Sequence, residues 1–163
     1  MKRSRFLMVS LATFAALLCA SVNGSAGDEQ TISNLEHKLA VQTDPDEIMK
    51  LYDGGDDVVV FDVMTPREFK GSRAIHDHMK DFAGFKDVKV EFLELQVISD
   101  GKLALARSVQ HYTAKDQNGK PIESTFRVTD IWRNTNGQWK LIHAHISYPV
   151  DMKTGKADMA SKM

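Results

Sequence analysis

Cysteine is almost absent from this chain. The single Cys19 excludes an intrachain disulfide and any cysteine-based zinc site. Proline occurs four times and tryptophan twice in 163 residues. Charge of one sign is missing too: 21 basic residues face 22 acidic ones, for a net charge of −1. A nucleic-acid binder usually carries a basic excess, so that class is set aside. No apolar run after residue 20 reaches the ~20 residues needed to span a bilayer. There is no Gly-x-Ser-x-Gly elbow, no phosphate loop and no dinucleotide fingerprint, so chemistry would be cofactor-free acid–base work. What is present is an ordinary globular composition, 42% apolar and 26% charged, of one-domain length.

The first 26 residues read as a cleaved signal peptide. Lys2, Arg3 and Arg5 precede an apolar stretch from Phe6 to Ala20, and Gly24-Ser25-Ala26 supplies small residues at a cleavage point. Cleavage there would remove Cys19 and three positive charges. It would leave 18 basic against 22 acidic residues, a net charge of −4, in a cysteine-free domain suited to the periplasm or the exterior. The expected layout is a signal peptide over 1–26, a domain over 27–150 and a polar, frayed tail over 151–163. No membrane association is expected after cleavage.

The domain divides into a helical half and a strand half. Ile32, Leu35 and Leu39 give a helical stripe over Asp28–Gln42. Asp44-Pro45 caps and starts a second helix ending near Tyr52. Val58–Val63 is a short β-branched strand, and Ser72–Phe82 a third helix. Val88–Ile98, Lys102–Ala114, Ile122–Arg133 and Gln138–Tyr148 then form four long strands. Asp100-Gly101, Asn118-Gly119 and Asn136-Gly137 sit in the gaps as hairpin signals. Three-residue loops ending at each glycine are the expected turn type. The layout is α+β, helices packed on an antiparallel meander.

Turn type decides which residues share a face. With three-residue loops the even-numbered residues align and turn to the helices. That face carries Phe92, Glu94, Ala104, Ala106, Ser108, Gln110, Phe126, Asp130, Trp132, Ala144, Ile146 and Tyr148. Small residues at its centre predict a void, the usual form of a small-molecule site. One cross-strand row reads Glu94, Ala106, Asp130, Ile142, with its carboxylates about 9–10 Å apart at two strand spacings. Two readings stay open. Either Asp130 and Glu94 are proton-transfer groups whose pKa an apolar hollow raises, or they sit near the sheet end in water. The odd face carries Arg107, His111, Arg127, Thr129, His143, His145 and Ser147. His143 and His145 could chelate a metal at i, i+2, but a hydrogen-bonded patch with Arg127, Thr129 and Ser147 is the preferred reading, since no third ligand is assured. Trp132 and Trp139 fall on opposite faces, the first roofing the pocket and the second packing outside.

The last hairpin carries the most specific pattern. Arg127-x-Thr129, Gly137-x-Trp139 and His143-x-His145-x-Ser147-x-Pro149 resemble the SnoaL-like and ketosteroid isomerase-like branch of the nuclear transport factor 2-like superfamily. They are also similar to the association domain of calcium/calmodulin-dependent protein kinase II. Tyr52-Asp53 and Gly71-Ser72-Arg73-Ala74-Ile75 fit the same resemblance, which spans about residues 29 to 150. It implies a cone-shaped curved antiparallel sheet wrapped on N-terminal helices, a cystatin-like fold with a pocket between sheet and helices. It also implies a homodimer packed through the outer face, with Arg127, Thr129, His143, His145 and Ser147. The arginines that line the kinase domain's pocket are not matched, since Ser108, Asp130 and Ile146 stand in their places.

The leading expectation is a secreted or periplasmic homodimer. It would bind an unidentified small, partly apolar molecule through Tyr52, Ser108, Gln110, Phe126, Trp132, Ile146 and Tyr148, without a cofactor or a metal. One alternative is a cofactor-free isomerase, lyase or hydrolase using Asp130 with Glu94 and Tyr52. The other is an oligomeric assembly domain.

Overall fold

The computed structural model describes residues 23–160, so most of the signal-peptide reading lies outside the described residues. Helix α1 runs from Asn23 to Val41 and buries Ile32 completely. Its start at Asn23 lies upstream of the expected Asp28, and the proposed cleavage point at Ala26 falls in its first turns. Helix α2, Pro45–Met49, begins as the sequence dictates: the Asp44 carboxylate accepts from the backbone N–H of Asp46 at 2.9 Å and Glu47 at 3.3 Å, with Pro45 in the first turn. Strand β1 is Val59–Phe61 and β2 is Phe69–Lys70, a short strand that the sequence did not reveal. Gly71 then turns the chain at φ +80, a left-handed conformation that favours glycine. Helix α3, Ser72–Met79, follows and ends in a 3₁₀ turn over Lys80–Phe82.

The long strands are β3 Lys86–Ser99, β4 Leu103–Lys115, β5 Pro121–Thr135 and β6 Gln138–Ser147. One six-stranded sheet results, in the order β2-β1-β6-β5-β4-β3, with β1 parallel to β6 and all other neighbours antiparallel. Helix α1 lies across β3 and β4. The core between helices and sheet holds Ile32, Ile48, Val58, Val60, Ile75, Trp132 and Leu141. Among the described residues no helix is long and apolar enough to cross a membrane.

The expected register survives in one hairpin and fails locally in two. Between β4 and β5 the three-residue loop is present: Asp116 N–H donates to Lys120 O at 2.9 Å, and Gly119 has φ +81. Even residues therefore pair with even residues along both strands. Between β5 and β6 the loop has two residues, Asn136 and Gly137, both at positive φ, and Thr135 pairs with Gln138. This is the tight hairpin turn whose twist suits the strands. A register shift between Ile131 and Trp132 then restores the parity, so Asp130 pairs with Ala144 rather than Ile142. Trp139 and Leu141 are consequently buried on the same face as Trp132, correcting the outer-face placement of Trp139. Between β3 and β4 an irregularity falls between Phe92 and Glu94. Beyond it Leu95 and Val97 take the inner face, and Glu94, Gln96 and Ile98 turn outward.

The tail is not frayed up to residue 160. Strands β7 Val150–Asp151 and β8 Lys156–Ala157 form a small hairpin. The Met159 carbonyl accepts from Thr125 N–H at 2.9 Å, which ties the segment to β5.

Candidate functional site

Between the helices and the inner face of β4, β5 and β6 lies a cavity of about 610 Å³. Most of its wall is apolar: Leu39, Phe82, Phe126, Val128 and Ile146 are representative. The segment around Val63 and Met64 contributes exposed apolar side chains at its opening, as does Met159 of the C-terminal hairpin. A tail expected to be in solvent thus supplies part of the site. Of the small residues that predicted the void, Ala144 lines it. Ala104, Ala106 and Ser108 are buried but do not line the cavity. Ala104 and Ala106 instead pack in the core with Trp132 and Ile32.

The polar floor is built from three elements. Asp130 on β5 is 2% exposed, and so is Glu36 on α1. The indole N–H of Trp132 donates to Glu36 Oε1 at 2.6 Å, and Glu36 and Asp130 hydrogen-bond to one another. Two carboxyl groups can share a hydrogen bond only if one holds a proton. Burial, then the Glu36 charge and the bond to Glu36, hold the Asp130 acid well above the ordinary carboxylate range. Burial also raises Glu36, although the bonds from Trp132 and Asp130 oppose it, as does nearby His37. The pair therefore keeps one proton well above the ordinary carboxylate range, with Asp130 the more strongly raised of the two. Asp130 Oδ1 is buried and has no hydrogen-bond partner, and the residue forms part of the cavity wall.

Tyr52 completes the floor. Backbone bonds from Asp53 N–H to Leu141 O at 2.9 Å and from Leu141 N–H to Leu51 O at 2.8 Å fix it against β6. Burial, and then the carboxyls of Asp130, Asp62 and Glu36, push its phenol well above the usual value, so it stays protonated. Farther along the same sheet face as Asp130, Ser124 and Tyr148 share a hydroxyl–hydroxyl hydrogen bond of 2.7 Å, and Gln110 donates to Ser108 at 2.9 Å.

Of the sequence-predicted site residues, the cavity brings together Asp130, Tyr52, Gln110, Phe126, Ile146 and Tyr148. Ser108 and Trp132 lie behind the wall, each bonded to a residue that lines it. Glu94 is on the other side of the sheet, half-exposed, with Arg107 at 4.0 Å, so its pairing with Asp130 across Ala106 is corrected. Arg127, Thr129, His143, His145 and Ser147 share the outer face through the pairs Arg127–Ser147, Thr129–His145 and Ile131–His143. His143 Nδ1 bonds to Val59 O at 2.9 Å, and Phe61 stands edge-on to both histidine rings. Among the described residues no group of three potential ligands is placed to hold a metal ion.

Sequence reasoning missed two site features. Glu36 follows Ile32 by four positions, so it lies on the buried stripe of α1, and a carboxylate on such a stripe was the available signal. The second is Asp62 on the cavity wall, bonded at 2.6 Å to the buried His78 Nε2, whose ring stacks on Phe69 at 3.7 Å. No spacing in the sequence connects these two.

The comparisons agree with this architecture. The SnoaL-like domain family matches residues 30–151, and the chain belongs to that family. A nuclear transport factor 2-like protein of unknown function from Pseudomonas putida KT2440 is 29% identical. It matches over 85% of this chain and 99% of its own, with a TM-score of 0.71. A nuclear transport factor 2-like superfamily protein from Salmonella enterica is 20% identical over 82% of this chain and 99% of its own, with a TM-score of 0.68. The association domain of the calcium/calmodulin-dependent kinase II of C. elegans is 19% identical over 75% and 96%, with a TM-score of 0.59. Among curated proteins the sequence finds no match.

Proposed function

We propose that the protein is exported, dimerises through the outer face of its sheet, and binds a small, partly apolar molecule in the cavity. The observation that carries the binding reading is the buried, unpartnered Asp130 Oδ1 in the wall of a largely apolar hollow of ligand size. A few polar groups among largely apolar walls fix the orientation of a guest, while the walls supply affinity. Export rests on the leader pattern of residues 1–26. Dimerisation rests on the row of Arg127, Thr129, His143, His145 and Ser147, partly exposed on one face.

One observation favours a second reading. An acid that keeps its proton well above the ordinary carboxylate range, beside a protonated tyrosine, is equipped for cofactor-free general acid–base chemistry. In that case Asp130 acts with Glu36 and Tyr52, and Glu94 has no part.

Native mass spectrometry of the protein purified from its own host tests the proposal. The expected species is a dimer of chains lacking the first 26 residues, with a defined small-molecule adduct. Ala144→Phe places a ring in the cavity opposite Asp130 and should abolish the adduct while the dimer persists. Arg127→Ala should weaken the dimer and keep the adduct. An adduct unaffected by Ala144→Phe would overturn the pocket assignment.

A further inference from the structure

The cavity is lopsided in charge. Its wall contains three carboxyl groups, those of Glu36, Asp62 and Asp130, and no lysine, arginine or histidine. Asp62 already has its counter-group behind the wall, in His78 at 2.6 Å. The Glu36–Asp130 pair has none among its hydrogen-bond partners. Trp132 supplies a neutral N–H to Glu36, Tyr52 is a neutral phenol, and His37 on α1 is turned to the outside, where its ring lies 4.3 Å from Phe92. Glu36 and Asp130 are both 2% exposed, so water screens them poorly. The rest of the wall is also suited to a cation. Tyr112, Phe126 and Tyr148 form a row of rings with centroids 6.2 and 6.3 Å apart, offering electron-rich faces.

We propose that the guest of this cavity is an apolar ammonium compound, whose charged nitrogen donates to Asp130 Oδ1 above the Glu36–Asp130 pair. This rests on the pocket reading above and deepens it. A carboxylate or phosphate guest would meet three carboxyl groups with no cation to offset them. A neutral alcohol could donate to Oδ1 but would leave the pair's charge uncompensated. An ammonium does both, and a hydrogen bond from an ionised donor is the stronger kind.

The test uses three probes that share an indole and differ in the terminal group: tryptamine, tryptophol and indolepropionate. Equilibrium dialysis of the full dimeric protein should show tryptamine bound at least about tenfold more tightly than tryptophol, the scale of one charge-assisted bond. Indolepropionate should bind weakest. The double variant Glu36→Gln with Asp130→Asn removes the charge of the pair, so tryptamine should lose its advantage over tryptophol, the ratio of the two affinities falling to about one. A cooperative urea-unfolding transition certifies that this variant is folded. Tryptophol or indolepropionate binding as tightly as tryptamine would overturn the ammonium inference and leave the pocket standing. Binding that Ala144→Phe does not reduce, or no binding of any probe, would overturn both.

Discussion

Asp130→Asn should make the protein more stable at neutral pH, against the usual rule that substituting a buried polar residue costs stability. In the unfolded chain an aspartate loses its proton near pH ~3.9. In the folded protein burial and Glu36 hold that proton to a much higher pH. Between the two values the unfolded chain releases a proton that the folded state retains, so unfolding gains as pH rises. Each pH unit in that window removes up to about 1.4 kcal/mol of folding stability. The penalty is absent below the unfolded value and levels off above the folded one. An amide at this position does not titrate, yet its N–H can donate to Glu36 as the protonated acid does. The variant should therefore match the wild type near pH ~4 and exceed it in stability at neutral pH. Urea unfolding across that range measures the gap. A variant less stable than the wild type at neutral pH would mean that the Asp130 charge is favourable, and the proton assignment would fall.

Trp132→Ala should have the largest effect in the opposite direction. Trp132 is completely buried, packs with Ile32 and Ala104 in the core, and gives Glu36 its N–H at 2.6 Å. Truncating a buried tryptophan costs about 3–5 kcal/mol through lost burial and a cavity. Leaving Glu36 without its donor adds roughly 1–3 kcal/mol. Against a total of about 5–15 kcal/mol for a domain, that threatens folding altogether. Trp132→Phe separates the two parts, since it keeps most of the volume and removes only the donor. It should cost the smaller amount and raise the Glu36 acid further, because one of the two bonds opposing burial is gone. A denaturation midpoint unchanged in Trp132→Phe would show that Glu36 does not depend on that bond.

These two residues also show what the sequence could and could not disclose. Asp130 and Trp132 were assigned to the helix-facing side from hairpin arithmetic alone, because the β4–β5 loop has the three residues that Asn118-Gly119-Lys120 implied. The α+β order and the Asp44-Pro45 helix start were legible for the same reason: each depends on local backbone preferences. Glu94 was misplaced because Gly101-Lys102 formed a two-residue turn, which pairs Val97 with Ala106, and the compensating irregularity between Phe92 and Glu94 leaves no mark in an alternating run. Trp139 was misplaced because Asn136-Gly137 formed the shorter turn, and the compensating shift near Ile131 lies several residues away. Glu36 was overlooked because its neighbours on α1 read as a plain apolar stripe. The His78–Asp62 contact and the return of Met159 to the cavity are tertiary events with no local signature.

The same proton of the Glu36–Asp130 pair underlies the floor of the cavity, its readiness for a guest and the stability behaviour of Asp130→Asn. Carboxyl-carbon NMR of the empty protein, followed through a pH titration, observes it directly. The account predicts that Asp130 titrates well above the ordinary carboxylate range, with Glu36 moving in step as its coupled partner. A resonance for Asp130 that titrates near pH ~4, like an exposed aspartate, would contradict it.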